Sequence, residues 1–358
     1  MIVVIADDLS GAAELAGVAL RHGLSAEVQV AFSADTDADV ICVDTDTRLR
    51  SAAEAASVAA AVTRAVVTAR PTWIFKKCDS VLRGHVLAEA RAIASAAGNT
   101  RIVILSANPS RGRVICSGEY LIEGVRLPQT LFAHDPAHPR TTACVAALLG
   151  GDLNGVATPD AATATDVARV AATVDTHTLP VGAVDFFDAL LAARRSTGVT
   201  PTARVEPESI QHSPALIVCG STASWAQRRA EAAAQGIPVF ALPHDVAAAA
   251  GALQTHGRAL IGIGDGPATH GHSPTELVGQ LAASVAAILR QTMPARLLLE
   301  GGATTAAVMR ALGWTRLRAS EISAQGIGVL RSARSGSPLL CIKPGSYPWP
   351  PELWPTKQ

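Results

Sequence analysis

Short β-branched runs alternate with longer, alanine-rich stretches in which apolar residues return every three or four positions. The short runs fit strands buried on both faces, and the longer stretches fit amphipathic helices. Their alternation predicts an α/β fold, a mostly parallel sheet flanked by helices. In the first half, strands are predicted over residues 2–6, 28–32, 40–43, 73–75 and 102–105. Helices are predicted there over 11–22, 51–69 and 84–97, with Gly23 as a C-terminal stop for the first. From 113 to 127 the period shortens, with Gly118 and Gly124 between apolar triplets, which predicts an antiparallel ribbon added to the sheet edge. Residues 130–200 read as mostly helical.

The stretch TPTARVEPESIQHSP, 200–214, holds three prolines and little periodicity, and reads as a linker. A second alternation then begins, with strands over 215–219, 239–242, 259–263, 297–299 and 339–342 and helices over 224–235, 245–255, 274–290 and 304–312. Two domains follow, 1–199 and 215–358, each with its own sheet and helices. The last residues, 347–358, carry four prolines and two tryptophans and read as an irregular arm lying on a surface.

Composition narrows the function classes. At 49% apolar residues the 358-residue chain has material for two cores. Its formal net charge is zero and it has no basic run, so it has no electrostatic footprint for nucleic acid. The six cysteines are scattered without a Cys-x-x-Cys pair and read as reduced core thiols, not as a disulfide framework or zinc site. No apolar run reaches the length of a membrane span. The first residues, MIVVIADD, meet two acids after five apolar positions and read as a strand, not a signal peptide. A cytoplasmic protein is expected.

Among 30 Lys plus Arg, the sequence contains lysine only at Lys76, Lys77, Lys343 and Lys357. Lysine is a compact point charge suited to phosphate and hydroxyl groups, whereas arginine is a planar fork. Two of the surviving lysines are adjacent, and Asp79, Ser80 and Arg83 follow directly. This cluster lies between a predicted strand and a predicted helix, at the sheet edge where open α/β folds bind ligands. A purely structural reading makes Asp79 or Ser80 a helix cap, but capping needs only one of them. Asp7 and Asp8 also follow a strand; one of the pair or Ser10 serves as a cap, and the second acid is left for a metal, a hydroxyl or a proton. Asp44-Thr45-Asp46-Thr47-Arg48 supplies an arginine able to clamp a carboxylate, and Asn108 to Arg113 supplies two more. Together these loops describe a site for an anion bearing hydroxyls, as in a small sugar acid.

The loops of the second half are glycine-rich: Gly220-Ser221, Gly301-Gly302-Ala303-Thr304-Thr305 and Lys343-Pro344-Gly345-Ser346. Each is by itself an ordinary strand-to-helix turn. Together with Lys343 they point to backbone N–H groups gathered for phosphate. There is no Walker A motif, and Gly262-Ile263-Gly264-Asp265-Gly266 lacks the spacing of a dinucleotide fingerprint.

With these motifs in their order, the sequence resembles the four-carbon acid sugar kinases, formerly a domain of unknown function. The resemblance is carried by Ala6-Asp7-Asp8-Leu9-Ser10-Gly11-Ala12, Thr45-Asp46-Thr47-Arg48 and Lys77-Cys78-Asp79-Ser80-Val81-Leu82-Arg83-Gly84, and by Gly112-Arg113 with Gly118. In the second half it rests on Cys219-Gly220-Ser221, Gly301-Gly302-Ala303-Thr304 and Lys343-Pro344-Gly345-Ser346. The resemblance implies an N-terminal domain binding the sugar acid and a C-terminal domain binding ATP, with chemistry in a cleft between them. It implies that Asp7, Asp8, Arg48, Lys77, Asp79, Ser80 and Arg83 hold the acid. Ser221, Gly301, Gly302, Ala303, Thr304 and Gly345 would hold ATP. Asp79 or Asp8 would orient and deprotonate the attacking hydroxyl, Lys77 would neutralise charge, and Mg²⁺ would bridge the phosphates without a protein metal site of its own. Ala303 stands where family members usually carry an acid, and Pro348 where they usually carry glycine.

Three other functions compete. A non-catalytic homologue would bind the acid but not turn it over. A dinucleotide-dependent dehydrogenase would need the missing fingerprint, and a periplasmic receptor would need a signal peptide. The ribbon of 113–127 also points to pairing between two copies of the chain, as a homodimer.

Overall fold

The computed structural model describes residues 1–135, 137–194, 213–320, 326–345, 348–351 and 353–354. The chain divides into two compact units, Met1–Pro201 and Thr202–Gln358. All but the last two residues of the expected linker 200–214 lie outside the described residues.

The sheet of the first unit uses β1 (Ile2–Ala6), β2 (Ala26–Gln29), β3 (Val40–Asp44), β4 (Trp73–Lys77), β5 (Arg101–Leu105), β9 (Val156–Ala157) and β10 (Thr178–Gly182). Their order is β2-β3-β1-β4-β10-β5-β9, and the pairs are parallel. Helix α1 (Leu9–Arg21) packs with α6 (Val184–Ala193), and α2 (Ala52–Thr68) packs with α3 (Val86–Ala97). Strand alternation shows that α1 and α3 cover opposite faces, because Lys77 of β4 turns to Glu14 of α1 and Lys76 turns to Glu89 of α3. Every residue of α1 from Leu9 to Leu20 is buried, which suits a run of alanine, glycine and aliphatic residues broken only by Ser10 and Glu14. The chain leaves β3 on one side of β1 and re-enters at β4 on the other, placing a switch point at the carboxyl end of β1.

Four expectations for this unit are corrected. The second strand stops at Gln29 instead of running to 32, because the Gln29 Oε1 accepts the Ser33 N–H at 2.7 Å and closes a turn. The segment 130–200 is not mostly helical: β10 inserts between β4 and β5. Pro180 hides this strand, since proline argues against a central position. The pairing with β4 begins only after it, at Val181. Gly182 is required there, because a Cβ would lie 2.3 Å from the Leu105 carbonyl oxygen. The ribbon, β6 (Arg113–Cys116), β7 (Glu119–Ile122) and β8 (Val125–Arg126), forms a separate three-stranded sheet and not an extension of the main edge. Its turns at Ser117-Gly118 and Glu123-Gly124 place both central residues at positive φ, the twist that two-residue hairpins favour. Cys116 and Cys144 are exposed, while Cys42, Cys78, Cys219 and Cys341 are buried; all six are free thiols.

The second unit uses β11 (Ala215–Cys219), β12 (Val239–Ala241), β13 (Arg258–Gly262), β14 (Arg296–Glu300), β15 (Arg316–Ala319), β16 (Gly328–Ser332) and β17 (Leu339–Lys343). Their order is β12-β13-β11-β14-β17-β16-β15. The first five are parallel, and β16 and β15 continue antiparallel. These last two are absent from the sequence expectation because they are only partly buried, and a search for apolar runs passes over them. The described residues of the C-terminal arm, 348–351 and 353–354, are not confined to a surface. Trp349 and Leu353 are buried with residues of β11, β14 and β17 in the hydrophobic core, and the Arg296 Nη1 donates to the Leu353 carbonyl at 2.9 Å.

Candidate functional site

The carboxyl ends of β1, β3 and β4 converge in the first unit. Asp8 caps α1, accepting the Gly11 N–H at 2.9 Å on Oδ1 and the Ser10 hydroxyl at 2.6 Å on Oδ2. The capping role is therefore real for Asp8 and leaves Asp7 unexplained by it. Arg48 accounts for Asp7: its Nε donates to Asp7 Oδ2 at 2.7 Å and its Nη2 to Asp7 Oδ1 at 3.1 Å. The same guanidinium reaches Asp8 Oδ2 at 2.9 Å through Nη1, which stands 3.6 Å from Asp79 Oδ1. One arginine thus binds the acids of two strand ends.

Asp79 does not cap α3; His85 occupies that position and makes no side-chain cap bond. Instead Asp79 folds its own loop, accepting the Val81 and Arg83 N–H groups at 3.0 and 3.2 Å. The Arg83 guanidinium grips both of its oxygens at 3.1 and 2.8 Å, and reaches Asp135 at 3.0 Å. Leu82 within this loop has φ 61°, a left-handed conformation a branched residue adopts only under constraint. The constraint includes Arg140, whose Nη1 donates to the Leu82 carbonyl at 2.8 Å. The fully buried Tyr120 of β7 donates to the Ser80 carbonyl, and Arg113 donates to the Ser80 hydroxyl. The separate ribbon therefore has a local purpose, fixing the loop after β4.

The two adjacent lysines part company. Lys76 is fully buried and ion-paired with Glu89 at 3.0 Å, and Glu89 in turn accepts from Thr47. It belongs to the core of the α2–α3 face. Lys77 lies along the first turn of α1, where a Cβ on Gly11 would come within 3.3 Å of its Nζ. Its Nζ donates to the Cys78 carbonyl at 2.8 Å and stands 3.8 Å from Glu14.

The electrostatics follow from burial and partners. Burial works to raise the Asp79 pKa, but Arg83 and Arg48 overcome it and hold the carboxyl well below the usual range. Asp7 is lowered in the same way, burial being outweighed by Arg48 with help from Lys76 and Lys77. Burial pushes Asp44 well above its ordinary value, and the nearby acids Asp46, Asp8 and Asp7 add to this. Burial likewise raises Glu14 against the pull of Lys77. Lys77 itself is raised, its acid neighbours outweighing burial. Glu14 was not among the sequence candidates. The available signal was a single acid inside an otherwise apolar helical run, GAAELAGVAL.

In the second unit, β11, β14 and β17 are neighbours, which gathers the three glycine-rich loops. Ser221 caps the helix Thr222–Ala234, accepting the Ser224 N–H at 3.2 Å. Gly301 has φ 96° and donates its N–H to the Lys343 carbonyl at 2.9 Å. Gly302 opens the helix Gly302–Leu312, with Thr304 buried and Ala303 exposed. Gly220 admits Thr304, whose hydroxyl would lie 1.8 Å from any Cβ there. Gly345 is exposed. Lys343 is already engaged within the protein, its Nζ donating to the Pro344 carbonyl of the last loop at 3.2 Å. Its side chain is buried, paired with Glu300 at 3.1 Å, and Glu300 also receives the Arg228 Nε at 2.9 Å. Burial lowers the Lys343 pKa to about 8.

The comparisons with known proteins agree with this fold. The family model of the sugar-binding N-terminal domain matches residues 2–191. A D-threonate kinase of Salmonella typhimurium is 34% identical over 150 residues, 41% of this chain and 36% of that protein. A D-erythronate kinase of Heliobacterium modesticaldum is 32% identical over 144 residues, covering 38% and 33% of the two chains. A D-threonate kinase of Bordetella bronchiseptica is 30% identical over 256 residues, 65% of this chain and 62% of that one. The chain thus matches about a third of the length of the first two relatives and 62% of the third. Two crystal structures share the fold along the chain. One is a Salmonella typhimurium protein, with TM-score 0.74, 18% identity and 97% and 96% of the chains covered. The other is a Haemophilus influenzae protein of the DUF1537 family, with TM-score 0.67, 18% identity and 97% of both chains covered.

Proposed function

We propose, for a chain that belongs to the family of the sugar-binding N-terminal domain, that it is an ATP-dependent kinase phosphorylating a hydroxyl of a four-carbon sugar acid. The observation that carries this reading is the network of Asp7, Asp8, Arg48, Asp79 and Arg83 beside Lys77, within the residues matched by that family. Arginines hold the Asp7 and Asp79 carboxylates ionised and aim the carboxylates of the network, as needed to accept hydroxyl hydrogen bonds. Lys77 and Ser80 supply the complementary donors. The relatives named D-threonate, D-erythronate and 3-oxo-tetronate kinases act on acids of this size.

Phosphoryl transfer asks a protein mainly for positioning and charge stabilisation. In this reading Asp8 and Asp79 orient the attacking hydroxyl and Lys77 offsets charge that gathers as the phosphoryl group moves. Ser221, Gly301, Gly302, Ala303, Thr304 and Gly345 hold the nucleotide through backbone N–H groups and hydroxyls. Among the described residues no group of three or more His, Cys, Asp or Glu is arranged to hold a metal ion. In this reading Mg²⁺ enters as the counter-ion of the nucleotide phosphates.

A second reading, an acid-binding homologue without turnover, draws on Ala303 and on the capping role that occupies Ser221. ADP release with Mg-ATP across D-threonate, D-erythronate and 3-oxo-tetronates separates the two. The kinase reading expects turnover on at least one acid, lost at least 100-fold in Lys77→Ala and Asp79→Asn, in line with removing a charge-stabilising group (about 10²–10³). Thermal stabilisation by an acid, with no ADP from any of them, would establish the second reading instead.

A further inference from the structure

We propose that Glu14 positions Lys77 and takes up a proton when an anionic group of the bound acid engages Lys77, so that acid binding here is coupled to protonation. The inference rests on the reading of the first unit as the sugar-acid site.

Glu14 sits on the second turn of α1 and is 5% exposed. Its Oε1 is buried without a hydrogen-bond partner, and its Oε2 stands 3.8 Å from Lys77 Nζ, looser than a contact ion pair. The neighbouring acids are different: Asp7, Asp8 and Asp79 have both oxygens engaged by arginines, backbone N–H groups or Ser10. A buried orphan oxygen beside a cation calls for an explanation, and a proton is the simplest group that satisfies it.

The charged surroundings of Glu14 are few. Lys77 faces it from β4, Asp8 from the end of β1, and Arg111 and Arg113 from the segment after β5. The acids of α6 are engaged elsewhere, Asp188 with Arg21 and His22 and Asp185 with Ser110. Glu27 of β2 bonds Gln29 and Thr36, and Asp44 of β3 accepts the Asp46 N–H. Burial favours the neutral form of Glu14, and the Lys77 ammonium opposes it most strongly. An anion engaging Lys77 removes that opposition. The Glu14 carboxylate is then left buried without compensation, and binding a proton relieves it. Lys77 has three N–H groups, and one is held by the Cys78 carbonyl, so its ammonium stays anchored while it exchanges partners.

Calorimetric titration of D-threonate and D-erythronate into the full chain, in buffers of different ionisation enthalpy near neutral pH, reads the protons taken up per site. The expected result is a net uptake, with affinity falling as pH rises, by at most about tenfold per unit for a single proton. Glu14→Gln should bind with an affinity independent of pH and without uptake, while Glu14→Asp should retain part of both. Zero uptake in the wild-type protein overturns the proposal without needing any variant to fold. Equal uptake in Glu14→Gln also overturns it, placing the proton elsewhere while leaving acid binding intact. No binding of either acid, nor of a 3-oxo-tetronate in the same titration, would sink the substrate reading and the coupling together.

Discussion

Arg48 is the residue on which the charge balance of the site turns. Its guanidinium serves Asp7 and Asp8 directly and lies near Asp79. Asp7 is 1% exposed, so removing its partner leaves a carboxylate in a place water does not reach. Arg48→Ala should therefore lower the stability of the first unit by about 3–5 kcal/mol, the range for breaking a buried ion pair from one side. Chemical denaturation checks this, and Asp7→Asn in the same background should recover part of the loss. The sequence marked Arg48 as a clamp for a substrate carboxylate, which its position after a strand supports. It did not reveal that the clamp is loaded with the protein's own acids, because that depends on how β1 and β3 are paired. The lysine argument divides in the same manner. The scarcity of lysine drew notice to Lys76 and Lys77, yet adjacent strand residues point to opposite faces. Only Lys77 reaches the cluster, and Lys76 is a core ion pair.

At the scale of elements, the loop after β4 is shaped by parts that are distant in sequence. Tyr120 and Arg113 hold Ser80, Arg140 holds Leu82, and Asp135 shares Arg83. Strand β10 joins this assembly, since the Cys78 N–H donates to the Gly182 carbonyl at 3.0 Å. The C-terminal arm plays a similar part in the second unit. Trp349 and Leu353 are 7% and 3% exposed within the core, and Arg228 and Lys343 lie over the Trp354 and Trp349 rings. A chain ending at Pro348 loses two buried apolar side chains, Trp349 and Leu353, and the partly buried Trp354, and each loss in a core costs about 2–5 kcal/mol. Its second unit should melt at clearly lower temperature or fail to fold, which circular dichroism and limited proteolysis would detect. An unchanged melting curve would mean that the arm is peripheral after all. Its prolines and lack of period disguised it, because a segment without regular structure can still contribute core side chains.

At the scale of the molecule, the strands of each unit pair mostly in parallel, and each unit has buried apolar residues of its own. Among the described residues no helix is long and apolar enough to cross a membrane. Residues 1–201, produced alone, should fold cooperatively and be stabilised by the same acid that stabilises the full chain, with no response to ATP. Thermal shift measurements check both halves of that statement, and an ATP response from 1–201 alone would contradict the assignment of the nucleotide to the second unit. The sequence by itself determined the α/β class, the strands that are continuously apolar, and the polar segments at strand ends that carry Asp7, Asp8, Arg48, Lys77, Asp79 and Arg83. These were legible because burial on both faces leaves an unbroken apolar run, and because polar clusters stand out directly after such runs. The tertiary structure alone decided the place of β10, the separation of the ribbon, the burial of the arm, the opposite fates of Lys76 and Lys77, and the isolation of Glu14. Each of these depends on which segments lie side by side, and side-by-side pairing is set by packing between residues far apart in the chain, which no local pattern records.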